Sequence, residues 1–401
     1  MRLLATRLTA IASAVKRLFS PASLFRNSEQ GVWYDPSDFS TLFQDSAGTT
    51  PVTAVEQPVG LILDKSKGLV LGAELVTNGG FDSNTTGWNP RAGCTLSVVA
   101  GWLRLTYTGS GAARANFTTL TTVVGKTYKI IFNVRNTTST GTAGGFVYSD
   151  AFVTQIATSG SKRADDSYSF VFTATSTTSN IEVGNSASDG GAGAYLEFDN
   201  ISVRELPGNH ATQATSASRP VLKQDANGKY YLFFDGVDDA LATGEVTLGA
   251  TPFISTALSI AAVNTYPGPF RFLRTGGSPT ATTANLLEEY SPSPYTRKSV
   301  VQRYPSMLVV RDAIDRPASP GVHVSWNNVG DSTGVVASDR NTTFPTTAIN
   351  GGAGTLHLGE SYGGGFMSGR VYQFIWRNQQ VTPSQLSAVN AYFKAKAGIT
   401  P

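Results

Sequence analysis

WLRLTYTG, residues 102–109, alternates without a break. Leu103, Leu105 and Tyr107 fall on one side, and Trp102, Arg104, Thr106 and Thr108 on the other. A period of two is that of a strand with one face in a core and one toward solvent. YKIIFNVRN (128–136), YSFVFTAT (168–175) and YLEFDNISVRE (195–205) repeat the pattern. Further along come KYYLFFDG (229–236), ALSIAAVN (257–264), GVHVSWNN (321–328), TLHLGE (355–360) and GRVYQFIWRN (369–378). Short strands at regular spacing, separated by Gly, Ser, Thr and Asn, predict a mainly β chain with two antiparallel β-sandwich (jelly-roll) domains. One helix is predicted after them. Thr382 is its N-cap, Pro383 its first residue, Gln385 closes a capping box, and Leu386, Val389 and Phe393 follow at helical spacing.

Composition narrows the possibilities. The chain has 401 residues, of which 15% are charged and 40% hydrophobic, so two or three domains with real cores are expected. No apolar run approaches the roughly 18 residues of a membrane helix. Cys94 is the only cysteine, which excludes an intrachain disulfide, and three histidines (His210, His323, His357) are too scattered for a histidine-rich metal centre. The net charge is +3, yet residues 1–30 alone carry Arg2, Arg7, Lys16, Arg17 and Arg26 against Glu29. The remainder is slightly acidic, which argues against nucleic acid as a partner of the main body.

In the basic N-terminal segment, Leu4, Leu8, Ile11, Val15 and Leu18 recur at spacings of four and three, an amphipathic stripe ended by Pro21. An isolated helix this short is marginal in water. Residues 1–30 are therefore expected to dock on a partner or on their own copies, in preference to acting as a signal peptide or a membrane-surface helix.

Residues 31–68, GVWYDPSDFSTLFQDSAGTTPVTAVEQPVGLILDKSKG, show no period and many turn residues, with Trp33, Tyr34 and Phe39 among the anchors. From Gly31 to Lys65 this segment resembles one in structural proteins of tailed bacteriophages. In those proteins it runs almost directly into a stretch like NHATQATSASRPVL and a strand ending FDGVDD, found here at 209–222 and 234–239. The resemblance implies an extended virion-anchoring segment at 31–68 and an insertion between Gly68 and Gly208. Phage tail or capsid proteins would be met through residues 1–68, at Leu4, Leu8, Ile11, Val15, Leu18, Trp33, Tyr34 and Phe39. It also implies a homotrimer and a place in the virion, assembled in the host bacterial cytoplasm.

The ends of the inserted stretch, residues 69–207, resemble carbohydrate-binding jelly-roll modules: ELVTNGGFDSNTTGW (74–88) at the start and YLEFDNISVREL (195–206) at the finish. The resemblance implies a structural calcium ion tying first strand to last, with Asn78, Asp82 and Asp199 at the matching positions. Sugar binding needs exposed aromatic faces with polar neighbours. Trp102 beside Arg104 on the polar side is the first candidate, and Trp88 and Tyr107 complete the set. Residues 208–401 resemble concanavalin-like or laminin-G-like sandwiches. There Asp235, Asp238 and Asp239 are expected to form a hairpin turn in preference to ligating calcium, Trp326 to be core, and His323 and His357 to be solvent-facing or satisfied strand histidines and not catalytic ones. No nucleophile elbow, metal-protease helix, phosphate loop or pair of opposed carboxylates appears, so an enzyme is not expected. Together these readings predict a phage tail-fibre adhesin that docks by its N-terminus and binds host-surface polysaccharide. A head fibre or capsid decoration protein, a polysaccharide-degrading enzyme and a bacterial surface adhesin are the alternatives.

Overall fold

The alternating segments are strands in the computed structural model. It describes residues 19–401 apart from 92, 110, 136–142, 150–153, 161–164, 186–190, 249–252, 261–269, 275–284, 291–296, 303–306, 312–320, 327–333, 338–340, 345–351, 361–365, 380 and 399–401, and between 270 and 344 only the backbone course of the strands. Three short strands come first: β1 (Gly31–Tyr34), β2 (Leu42–Phe43) and β3 (Leu61–Ile62). The next ten are β4 (Trp88–Pro90), β5 (Cys94–Val99), β6 (Trp102–Tyr107), β7 (Arg114–Thr121), β8 (Thr127–Arg135), β9 (Ala143–Tyr148), β10 (Gln155–Thr158), β11 (Asp166–Thr173), β12 (Thr178–Asn185) and β13 (Tyr195–Glu205). Then follow β14 (Ala211–Thr212), β15 (Val221–Gln224), β16 (Tyr230–Asp235), β17 (Leu241–Leu248), β18 (Phe253–Ile260), β19 (Phe270–Arg274), β20 (Asn285–Tyr290), β21 (Arg297–Gln302) and β22 (Met307–Arg311). Last are β23 (Gly321–Trp326), β24 (Gly334–Ala337), β25 (Asn341–Phe344), β26 (Gly352–Leu358), β27 (Ser368–Arg377) and the helix α1 (Pro383–Ala397).

β4 to β13 build a sandwich of two five-stranded antiparallel sheets, β10-β9-β12-β7-β4 and β11-β8-β13-β6-β5. Leu103 and Leu105 of β6 meet Phe132, Phe170, Phe198, Ile181 and Val183 between the sheets. Tyr107 has the same parity and is 5% exposed in that core. Trp88 is 4% exposed, wedged between Phe81 and Phe117 at ring-centroid distances of 5.6 and 5.4 Å. Both were expected at a sugar surface. Their rings are spent on packing, so neither offers a face to a ligand.

The second sandwich pairs an eight-stranded sheet, β15-β16-β27-β18-β23-β24-β25 with β1 also on β27, against the six-stranded β19-β26-β17-β14-β3-β2; β20-β21-β22 form a separate small sheet. Val32, Tyr34, Phe234, Phe374 and Trp376 from the first sheet pack on Leu42, Ile62, Leu241, Leu356 and Leu358 from the second. The outer face of the larger sheet carries Trp33, Tyr231, Tyr372 and Ile375, and it is covered by Val389, Phe393 and Ala397 of α1 together with Leu24 and Phe25. The capping box at Thr382 and Gln385 is formed on both sides.

Residues 31–68 are thus no free extended anchor. β1 runs along Phe374–Arg377 of β27 while β16 takes Ser368–Val371 of the same edge, so the two short strands lie end to end and complete one ladder. Trp33 is 6% and Tyr34 1% exposed, and Phe39 packs edge-on against Tyr230 at 4.9 Å. Trp33 and Tyr34 are core residues with no surface for docking, and Phe39 is committed to its own sandwich. The N-terminal stripe Leu4, Leu8, Ile11, Val15 and Leu18 lies outside the described residues, as do the side chains of His323 and Trp326. Pro21–Phe25 is a 3-10 turn whose Leu24 is fully buried, so the part of 1–30 nearest the sandwich belongs to it.

The inserted stretch leaves and returns at one buried junction. Asp64 accepts hydrogen bonds from the Trp33 and Ser66 amides on one oxygen, and from the Asn209 amide and the Ser66 hydroxyl on the other. Its own N–H donates to His210 Nδ1 at 2.9 Å, and His210 Nε2 reaches the Leu206 carbonyl at 3.1 Å. Tyr34 donates its hydroxyl to the Asn209 carbonyl, and Asn209 Nδ2 donates to the Gly31 carbonyl. A Cβ on Gly208 would stand 3.1 Å from the Asp64 side chain at φ +133, so the returning chain passes there as glycine. Burial pushes the Asp64 carboxyl up to about 6 and the His210 imidazole down to about 4. Beside the junction, Leu61, Leu63, Val171 and Leu206 form an apolar contact between the two sandwiches.

Candidate functional site

The outer faces of the inserted sandwich share one motif: a buried glutamate held by two arginines. On the sheet containing β6, strand parity puts Trp102 and Arg104 outward, with Tyr195 and Glu197 beside them on β13 and Arg135 on β8. Glu197 lies directly opposite both Arg104 and Arg135 in register. Arg104 donates to it through Nε at 2.8 Å and Arg135 through Nε at 2.5 Å, and the carboxylate is buried. Each guanidinium also covers a ring, Arg104 over Tyr195 at 3.8 Å and Arg135 over Trp102 at 4.3 Å. Asp165 and Asp199 add negative charge near Arg135. The sequence-predicted pair Trp102 and Arg104 does share this half-exposed face, but a guanidinium sits on the Trp102 ring.

The opposite sheet presents the second face. Ile181 and Val183 of β12, Ala115 and Phe117 of β7, and Val147 of β9 point into the core. Asn180, Glu182, Arg114, Asn116, Phe146 and Tyr148 therefore lie on the outer side. In register, Glu182 stands between Phe146 and Asn116, and Asn116 stands opposite Asn89 of β4. Glu182 is fully buried although it faces outward, because Arg91 and Arg114 close over it at 2.6 and 2.8 Å. Arg114 also donates to the Tyr148 hydroxyl at 2.9 Å and lies 4.4 Å from the Phe146 ring centroid. The approach of β7 requires Gly184: a Cβ there would be 2.2 Å from the Ala113 carbonyl oxygen. Desolvation, helped by the Glu182 charge, holds the Tyr148 hydroxyl above its ordinary value. Asn116 Oδ1 is buried with no donor among the described residues. None of these residues was singled out from sequence. The available signal was a glutamate at the outward parity of a strand, Glu182 within SNIEVGN and Glu197 within YLEFDN.

At the ends of the module, desolvation and the nearby Asp82 charge hold the Asp199 carboxyl above its ordinary value. Asn78 donates its amide nitrogen to Asn84 and Thr86 carbonyls at 2.9 and 3.0 Å, which leaves its carbonyl end for another partner. Two neighbouring carboxylates and an amide oxygen suit a hard cation in charge and ligand type. In the second sandwich the oxygens of Asp235, Asp238 and Asp239 lie within 4.8 Å of one another, but in a turn that crosses from one sheet to the other and not in the expected hairpin, because β16 and β17 on either side of it belong to different sheets. They are occupied there by the Asp235 and Val237 amides and the Ser218 hydroxyl. His357 is satisfied on both nitrogens, by Glu360 at 2.8 Å and Thr355 at 2.9 Å.

Comparison with known protein families finds no match, and comparison with characterised proteins finds none. Among solved structures, a truncated AlyQ with CBM32 and alginate lyase domains is similar at a TM-score of 0.30 and 10% identity, over 82% of this chain and 100% of that one. Among the described residues, no helix is long and apolar enough to cross a membrane.

Proposed function

We propose that this chain is a glycan-binding structural protein of a tailed-phage virion, a tail-fibre type adhesin with no catalytic step of its own. The observation that carries the glycan reading is the outer face of β9, β12, β7 and β4. There a fully buried glutamate, two arginines, asparagines and two aromatic residues form a fixed polar surface on a rigid sheet. Preorganised polar groups on strands are what recognition of a hydroxyl-rich ligand requires. The virion reading is supported by the resemblance of 31–65 and 209–239 to phage structural proteins. The N-terminal stripe is the docking element, and a homotrimer multiplies weak sugar sites. Calcium at Asn78, Asp82 and Asp199 ties the ends of the inserted module. Melting temperature rising with added calcium, and not rising in Asp199→Asn, is the expected result; equal melting with calcium and chelator removes the metal from the reading.

Immunogold microscopy of phage particles with an antibody to residues 209–401 tests the placement. Label at the tail is expected. Label on the head reassigns the protein to capsid decoration, and unlabelled particles overturn the virion reading. Release of reducing sugar from a host polysaccharide would overturn the non-catalytic part.

A further inference from the structure

We propose that the free edge of β5 pairs two copies of this chain, strand against strand, about a two-fold axis at Ser97. The inference concerns an interface and goes beyond the glycan-binding reading, on which it does not depend. It starts from the edges of the inserted sandwich, which end at β10, β4, β11 and β5. An edge strand carries a row of unpaired N–H and C=O groups, and folded proteins blunt such edges with proline, charge, bulges, shortness or a covering segment. β11 donates its Val171 N–H to the Ala47 carbonyl at 2.7 Å. β10 has four residues and a register slip between Gln155 and Ala157. β4 has three residues and ends at Pro90. β5 has none of these devices. Its six residues, CTLSVV, include no charge and no proline, and it pairs with β6 from Cys94 to Val99 without a slip.

The register shows which of its groups are free. Ala100 and Gly101 have φ of +52 and +79, the two-residue hairpin turn whose flanking residues, here Val99 and Trp102, form a hydrogen-bonded pair. Bonded pairs alternate from there, so Ser97 bonds to Arg104 and Thr95 to Thr106, while Leu96 and Val98 turn their main-chain groups away from β6. The far end keeps the same phase. Thr108 donates to the Gly93 carbonyl at 2.9 Å, and Tyr107, opposite Cys94, donates instead to the Ala194 carbonyl on the β13 side at 2.7 Å. Among the described residues, nothing bonds to the main-chain groups of Leu96 or Val98.

A second copy fits this edge. With Ser97 opposite its own counterpart in an antiparallel pair, Leu96 faces Val98 of the second copy, and Val98 faces its Leu96. Each of these pairs exchanges both of its N–H···O bonds. The side chains of Leu96 and Val98, half-buried against the core, meet those of the second copy in one apolar row. The other row is Thr95, Ser97 and Val99, so no like charges stand opposite one another. The pair lies in the inserted sandwich and is separate from the three-fold assembly proposed for the N-terminal segment, whose products it would join two by two.

Disulfide trapping of the full chain tests the register. Opposed residues without mutual main-chain bonds have Cα atoms roughly 4.5 Å apart, within reach of a disulfide, so Ser97→Cys is expected to link two copies on mild oxidation. Thr95→Cys, exposed on the same strand, places its two thiols roughly 14 Å apart at about 3.4 Å per residue. It is expected to cross-link at least ten-fold more slowly. The native chain, whose single cysteine Cys94 is buried, gives the background. Val98→Pro removes an N–H that no bond within the chain uses, at an edge position where proline is tolerated. It is expected to halve the mass measured by light scattering at high protein concentration and to keep the native circular dichroism spectrum. Equal cross-linking of Ser97→Cys and Thr95→Cys overturns the two-fold pair. An unchanged mass in folded Val98→Pro overturns the edge as an interface, and if that variant does not fold the two cysteine variants decide alone.

Discussion

His210→Gln tests the buried junction at which the inserted sandwich joins its host. Glutamine offers an acceptor to the Asp64 N–H and a donor to the Leu206 carbonyl, the two groups the imidazole now serves, and it does not titrate. An imidazole whose ordinary value is 6.5 lies at about 4 in the folded chain because burial disfavours its charged form. As pH falls from 7 to 4 the unfolded chain takes up this proton and the folded chain largely does not, so the histidine destabilises the fold. At about 1.36 kcal/mol per pH unit the loss is about 3 kcal/mol. Asp64 acts in the opposite direction. Its carboxyl, raised from 3.8 to about 6 by desolvation, binds its proton in the folded state first, and so adds about 2 kcal/mol over the same range. The two nearly offset in the native chain. Removing the histidine exposes the Asp64 contribution, and the variant should gain about 3 kcal/mol on the native chain between pH 7 and pH 4, whatever its starting stability. Urea unfolding followed by tryptophan fluorescence at the two pH values measures this difference, because every other titrating group is common to both proteins. A gap between variant and native chain that is the same at pH 7 and pH 4 would refute the reasoning.

Glu182→Ala leaves Arg91 and Arg114 without their shared carboxylate. Unfolding free energy should fall by about 3 kcal/mol, at the lower end for a broken buried pair because Arg91 can rehydrate. Thr382→Ala removes one half of the capping box of α1 and should lower stability by about 1 kcal/mol, read from the urea midpoint. Deleting residues 1–18 should leave the melting temperature of the sandwiches unchanged. Deleting 1–30 also removes Leu24, Phe25 and the Glu29–Arg377 ion pair, and should lower it by several degrees or yield insoluble protein.

The parts of the fold that were legible in sequence are those where one physical signal repeats. WLRLTYTG alternates because one side of β6 is core and the other is not, and Thr382-Pro383 with Gln385 spells out a helix start. Residues 31–68 were misread for an equally physical reason. β1 is buried on both faces, and β2 and β3 are two residues each. None of them has a period to display, and their turn-rich linkers look like an extended segment. Trp88 was not legible as core because it opens a strand of only three residues, packed between two phenylalanines. The arginine–glutamate clamps escaped because each joins strands 62 to 93 residues apart in sequence. Strand parity could place Arg104 outward, but only the register of β13 brings Glu197 to it.

The end-to-end placement of β1 and β16 along β27 has a mechanical consequence. A pull applied between the N-terminal arm and the inserted sandwich travels only through residues 19–68, because the chain leaves for the insert at Gly68. The first ordered strand on that route is β1, whose antiparallel bonds to Phe374–Arg377 run across the direction of its own chain. Tension along β1 loads those bonds together in shear, and the Asp64 junction that grips the Trp33 amide stands immediately behind them. A tether so arranged resists stretching at its root, where β1 shares the load with β27.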